Sequence, residues 1–114
     1  MDKDLRRIAD FLDAKSAEAG AAKNTISAYA RDLRDFSDWA ANNNQTLLQL
    51  KQPQIEAYLT QLNQIGLASA TRARRLSAVK QFYRFAVEEN WRDDNPTLQI
   101  SGPGRSKHLP KTLS

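Results

Sequence analysis

The chain has 114 residues, 40% of them hydrophobic and 26% charged, with a formal net charge of +4; these values describe one ordinary globular domain and exclude a disordered tail. The absence of cysteine and the presence of only one histidine exclude a disulfide scaffold, a thiolate metal site and a zinc centre. No apolar run approaches bilayer length, and the start, Met1-Asp2-Lys3-Asp4-Leu5, lacks the apolar region of an export signal, so a soluble cytoplasmic protein is expected.

Residues 4 to 18 carry Leu5, Ile8, Ala9, Phe11 and Leu12 at spacings of three and four, which predicts a first helix with Asp2 or Asp4 placed to cap it. Gly20, in Ala19-Gly20-Ala21-Ala22, is its expected stop. A second helix is expected from about Lys23 to about Ala41, with Ile26, Tyr29, Leu33, Phe36 and Ala40 on one face, Trp39 beside them and Asn24 as the best capper. Its outer face reads Asn24, Ser27, Arg31 and Arg34, then Asp32, Asp35 and Asp38. On that reading Arg31 to Asp35 and Arg34 to Asp38 form pairs one turn apart.

Asn42-Asn43-Asn44-Gln45 is a polar loop, after which Leu47, Leu48 and Leu50 tack the chain to the core. A third helix opens with Pro53 in its first turn and carries Ile55, Tyr58, Leu59, Leu62 and Ile65 inward as far as Gly66, which reads as a left-handed cap. The fourth, residues 69 to 87, starts from Ser69 or Thr71 as cap and turns Leu76, Val79, Phe82, Tyr83 and Ala86 inward. Arg72, Arg74, Arg75, Lys80 and Arg84 lie around or opposite that face. No acidic residue stands between Glu56 and Glu88, so local spacing gives these cations no carboxylate before the end of the helix. Pro96 ends the helical run, Trp91 is expected to fold back on the bundle, and residues 101–114 read as an extended basic linker after a domain of residues 1–100. The expected fold is an all-α, compact four-helix bundle.

Enzymatic constellations are nearly absent: there is no Gly-rich phosphate loop, no HExxH and no GxSxG. Tyr29, Tyr58 and Tyr83 fall on core faces, His108 sits in the Gly/Pro arm, and the adjacent Asp93 and Asp94 offer too few oxygen ligands for a metal. No cofactor is expected. The positive signal is a pair of basic helix beginnings. The second helix starts with Lys23, Asn24, Thr25, Ser27, Arg31 and Arg34, and the fourth starts with Arg72, Arg74 and Arg75. Helix N-terminal amides favour phosphate, and Arg, Asn, Ser and Thr are groups that read base edges in a major groove.

The two helices together resemble a known family. Asn24-Thr25-Ile26-x-x-Tyr29-x-x-Asp32-Leu33-x-x-Phe36-x-x-Trp39 is similar to the first signature of the N-terminal, SAM-like core-binding domain of tyrosine recombinases. Thr71-x-x-Arg74-Arg75-Leu76-Ser77-Ala78-Val79-Lys80-x-Phe82-Tyr83-x-Phe85, followed by Asn95-Pro96, is similar to the second. The opening Asp4-Leu5-x-x-Ile8-x-x-Phe11-Leu12-Asp13 and the closing Leu109-Pro110-Lys111-x-Leu113-Ser114 resemble bacterial Xer recombinases in particular.

The resemblance implies a domain that forms one jaw of a clamp on double-stranded DNA, with the helices matching the second and fourth crossing in the major groove of a recombination half-site. It implies groove-facing positions at Thr25, Ser27, Ala28, Arg31 and Arg34, and at Thr71, Arg74 and Ala78. Arg75 and Lys80 then serve as phosphate partners, Lys23 and Asn24 meet phosphate at the helix end, and Lys107 and Lys111 lie on an arm along the DNA. Ala28 and Ala78 can offer only apolar contact, such as with a thymine methyl. The family's catalytic tyrosine and its Arg, Lys and His partners have no counterpart in this chain, which is therefore expected not to cut DNA alone. Other protomers of a tetrameric synapse are the further implied partners. From another class, the alternative is a helical adaptor whose basic face meets an acidic protein or a neighbouring subunit.

Overall fold

A computed structural model describes residues 2–17 and 23–100. Four α-helices make up the bundle: α1 (Asp2–Ala17), α2 (Lys23–Asn42), α3 (Gln52–Gln64) and α4 (Ser69–Glu88), with one 3-10 turn at Leu47–Gln49 between α2 and α3. No strand is present among the described residues. The expected stop at Gly20 and the linker over 101–114 lie outside them.

The core follows apolar periodicity, except that Leu5 and Ala9 of the stripe expected on α1 are exposed. Ile8 and Phe11 from α1, Tyr29, Leu33, Phe36 and Ala40 from α2, Ile55, Tyr58 and Leu62 from α3, and Leu76, Val79, Phe82, Tyr83 and Ala86 from α4 are all buried. Each large apolar side chain buried in this way contributes about 1.5–3 kcal/mol. Aromatic edges and faces join the helices: Phe11 meets Phe82 edge-on at 5.9 Å between centroids, and Phe36 lies 4.8 Å from Tyr58 and 6.3 Å from Tyr83. α1 packs chiefly on α2, while α4 touches all three other helices.

The ends of the helices follow their chemistry. Pro53 stands in the first turn of α3, where its missing N–H costs nothing, and the Lys51 backbone N–H donates to Gln54 Oε1 at 2.7 Å. Gly66 closes α3 at φ +86°, with Leu67 N–H reaching back to Leu62 O at 3.4 Å. Asn90, at φ 62°, does the same for α4 and sends Trp91 back, its N–H donating to Ala86 O at 2.8 Å. Trp91 then packs edge-on against Phe85 at 5.2 Å, as its position after the helix predicts. Beyond it the Asn95 side chain accepts from both the N–H and the hydroxyl of Thr97, a tight turn consistent with Asn-Pro.

Four further expectations are corrected. Ala68, not Ser69 or Thr71, is the cap residue of α4, and no side chain caps that end. Ile65 is 62% exposed, because α3 ends at Gln64 and the chain turns away before another inward position is reached. Asp4 does not cap α1. It is buried and its Oδ2 accepts from the Leu47 backbone N–H at 3.0 Å, while Tyr83 Oη donates to Leu47 O at 2.6 Å. Asp32, assigned to the outer face of α2, is also buried.

Candidate nucleic-acid interface

α2 presents its polar stripe as its phase requires. Lys23, Asn24, Thr25, Ser27, Arg31 and Arg34 are exposed and Ala28 is half-buried. Asn24, Ser27, Arg31 and Arg34 follow one another at steps of three and four, so they line one side of the cylinder. The pairs expected one turn apart, Arg31 with Asp35 and Arg34 with Asp38, do not form among the described residues. Asp35 is engaged elsewhere: it accepts from Tyr58 Oη at 2.9 Å and is bound by Arg75. Asp38 is exposed and takes no ion pair among the described residues, so Arg31 and Arg34 both stand as exposed cations without a carboxylate partner there.

The basic start of α4 is in the opposite condition. Arg74 donates from Nε to Asp32 Oδ2 and from Nη2 to Asp32 Oδ1, both at 2.9 Å. This is the parallel two-bond fork that gives Arg–carboxylate pairs their fixed geometry. The carboxylate has no exposure, whereas the Arg74 side chain is 42% exposed. One edge of the guanidinium is spent on Asp32, and its Nη1 group stays unused. Arg75 Nε lies 3.6 Å from Asp32 Oδ1 and Arg75 Nη1 binds Asp35 Oδ2. The fourth helix is therefore not an unneutralised basic back: carboxylates three and six residues beyond Tyr29 on α2 reach across to it.

Hydrogen bonding to Asp32 holds the Arg74 guanidinium above its usual pKa against a smaller opposing effect of burial. For Arg75, burial pulls downward, but hydrogen bonding with Tyr58 and the charge of Asp35 more than offset it and the net shift is upward. Tyr58 is pushed up, first by burial and then by the Asp35 carboxylate, which favours the protonated hydroxyl that donates to Asp35.

A second polar contact sits further along the same seam. Tyr29 Oη lies 3.3 Å from Ser77 Oγ, and Gln81 Nε2 donates to Tyr29 Oη at 3.1 Å. Rising numbers on α2 meet falling numbers on α4, so Tyr29 faces Ser77 and Gln81 while Asp32 faces Arg74. These contacts fix the two helices relative to each other beside the exposed stripe.

Of the other expected positions on α4, Thr71 and Lys80 are half-buried. Ala78 is fully buried and belongs to the core, which corrects its assignment as a groove-facing methyl: it lies one turn before Phe82, on the packed side of the helix. Lys107 and Lys111 lie outside the described residues. Sequence reasoning missed Asp32, Asp35 and Tyr58 as partners of the α4 arginines. Helical phase carried the signal for Asp32, three residues after Tyr29 and four before Phe36. Among the described residues no group of side chains could hold a metal ion, and no helix is long and apolar enough to cross a membrane.

Comparison with known families gives this arrangement a context. The sequence profile of the phage integrase N-terminal SAM-like domain matches residues 4–90, the span that contains both Asp32 and Arg74. The chain belongs to this family. Curated relatives of the SAM-like domain include the tyrosine recombinase XerD of Agrobacterium fabrum, 44% identical over 112 residues, or 98% of this chain and 34% of the relative. The XerD of Caulobacter vibrioides is 42% identical over 103 residues, 90% of this chain and 34% of the relative, and that of Brucella suis is 39% identical over 107 residues, 94% and 35%. The SAM-like domain thus spans about a third of the length of the curated relatives it matches.

Proposed function

We propose that this SAM-like domain binds double-stranded DNA through α2 and the first half of α4, as one jaw of a clamp on a recombination half-site. The parent activity on this reading is site-specific strand exchange by a Xer-like tyrosine recombinase, in chromosome dimer resolution or a related DNA integration reaction. On the same reading the parent's catalytic groups would come from a part of it that these residues do not include. Membership of the SAM-like family and likeness to proteins named tyrosine recombinases support the reading.

The observation that carries it is the exposed stripe of Asn24, Ser27, Arg31 and Arg34, whose two arginines have no carboxylate partner among the described residues. Arg31 and Arg34 neutralise phosphate and release counterions, which gives most of the affinity and makes it salt-sensitive. Lys23 and Asn24 stand at the amino end of α2, where backbone amides add to anion binding. Arg74 is held by Asp32 with Nη1 left for a phosphate or a base edge, and each good base contact is worth about 1–3 kcal/mol of discrimination. The other protomers of a synapse would complete the complex that a single jaw only positions.

Fluorescence anisotropy with a duplex carrying a Xer-like half-site and with a scrambled duplex, over a salt series, tests the proposal. The informative variant is Arg31→Glu, because Arg31 is exposed and supports no other side chain, whereas Arg74→Glu would also disrupt Asp32. Salt-sensitive binding that favours the half-site and drops in Arg31→Glu supports the reading. Binding unchanged by Arg31→Glu and Arg34→Glu together overturns it.

A further inference from the structure

A second basic feature lies outside the α2–α4 face. Lys3, Arg6, Arg7 and Asp10, at steps of three, one and three, form a stripe along α1 that faces Trp91, the residue folded back after α4. Together they line an open cleft of about 460 Å³. Lys3 and Arg6 are exposed and make no ion pair among the described residues. Asp10 stands within a turn of both Arg6 and Arg7 yet pairs with neither. Arg7 lies over the indole of Trp91, 5.7 Å from the ring centroid. On its other sides the indole is braced by Phe85 at 5.2 Å and Phe82 at 6.2 Å, which fixes it as the floor of the cleft.

We infer that this cleft is a docking site for an acidic segment of a partner protein that carries an aliphatic or aromatic side chain among its carboxylates. The floor is apolar, made of the indole and the methylene stems of the arginines, and offers burial to one such side chain. The rim supplies cations that carry no carboxylate of their own, so an incoming carboxylate gains attraction without displacing an existing pair. Asp10, at the wall, repels phosphate but can accept a backbone N–H of an extended peptide. A duplex uses only the cations and leaves the floor uncovered, so a mixed acidic and apolar peptide fits the lining better than DNA does. None of the four side chains belongs to the proposed DNA face, and the inference stands apart from that reading.

The two tryptophans make the test internal. Trp39 Nε1 donates to Gln61 Oε1 in a separate part of the bundle, so its indole signal serves as the reference for that of Trp91. The chain, labelled with nitrogen-15, is titrated with a short synthetic peptide alternating Glu and Leu, with the same peptide carrying Gln for Glu, and with a scrambled DNA duplex. The expected result is a shift of the Trp91 indole resonance but not that of Trp39 with the acidic peptide, and apparent affinity about tenfold lower for the Gln peptide and for the double variant Lys3→Glu, Arg6→Glu. Both substituted residues are exposed, so the variant keeps its fold. No shift of Trp91, a shift that ignores the peptide's charge and the double variant, or displacement of the peptide by the duplex would each overturn the inference. So would concentration-dependent dimerisation without peptide that the double variant abolishes, which would assign the cleft to a second copy.

Discussion

The arginines of α4 and those of α2 stand side by side in opposite electrostatic states. Arg74 and Arg75 are tied to Asp32 and Asp35, reaching across from the neighbouring helix, whereas Arg31 and Arg34 share their helix with those same carboxylates and bind neither. Sequence spacing suggests the reverse: it pairs the α2 arginines locally and leaves the α4 arginines unneutralised. For Asp32 the difference teaches that a buried carboxylate is claimed by the cation that reaches it inside the packed seam, where the field is less screened, while Arg34 and Asp38, both in water, gain too little to pair. One set of cations therefore holds the domain together and the other is available to a ligand.

The strongest way to break this contrast is to remove Arg74. Arg74→Ala leaves the buried Asp32 with only the longer contact to Arg75, and an expected loss of about 3 kcal/mol follows from stranding a buried charge. Asp32→Asn should cost less, because the freed guanidinium of Arg74 is partly exposed and can hydrate. Chemical denaturation of both single variants and the double variant measures the coupling. Equal costs for the two singles would contradict the asymmetry. Tyr58→Phe removes one donor to Asp35 and should cost about 1 kcal/mol, read in the same assay.

Arg31→Ala and Arg34→Ala mark the other side of the contrast. Their stability should stay within about 0.5 kcal/mol of the parent, while each lowers the salt slope of DNA binding by about one. A stability loss as large as that of Arg74→Ala would erase the distinction between the two sets. The smallest effect belongs to Asp94, whose carboxyl is held below its ordinary value chiefly by hydrogen bonding from Arg92. Its folded pKa is depressed, so its contribution is present above the unfolded value of 3.8 and fades as pH falls through the lower folded one. Acid titration of Asp94→Asn against the parent should show a small difference at neutral pH that closes in strong acid.

Much of the fold was legible in the sequence. Leu76, Val79, Phe82, Tyr83 and Ala86 announce the inner face of α4 by spacing alone, and Gly66 announces the end of α3 because no other residue takes its backbone conformation so cheaply. Two of the misreadings share one cause. Asp4 and Asp32 sit at inward positions of their helices, but a carboxylate counts as an outward residue unless its partner is known, and the partners are the Leu47 amide and Arg74, 43 and 42 residues away. Ala78 misled in the opposite direction, since a small side chain carries too little hydrophobic weight to declare a face. At the candidate interface the sequence supplied the residue types on α2, while the division of the arginines into bound and available depended on contacts between helices.

The tie between Asp4, Leu47 and Tyr83 has a practical reach. A backbone amide of the α2–α3 connection is held by the first turn of α1, and the carbonyl of the same residue is held by α4. Asp4 thus acts as a latch on the middle of the chain. Trimming it away to shorten the domain would release a loop some forty positions downstream, so a fusion partner or affinity tag should be joined ahead of Asp4 and never in place of it.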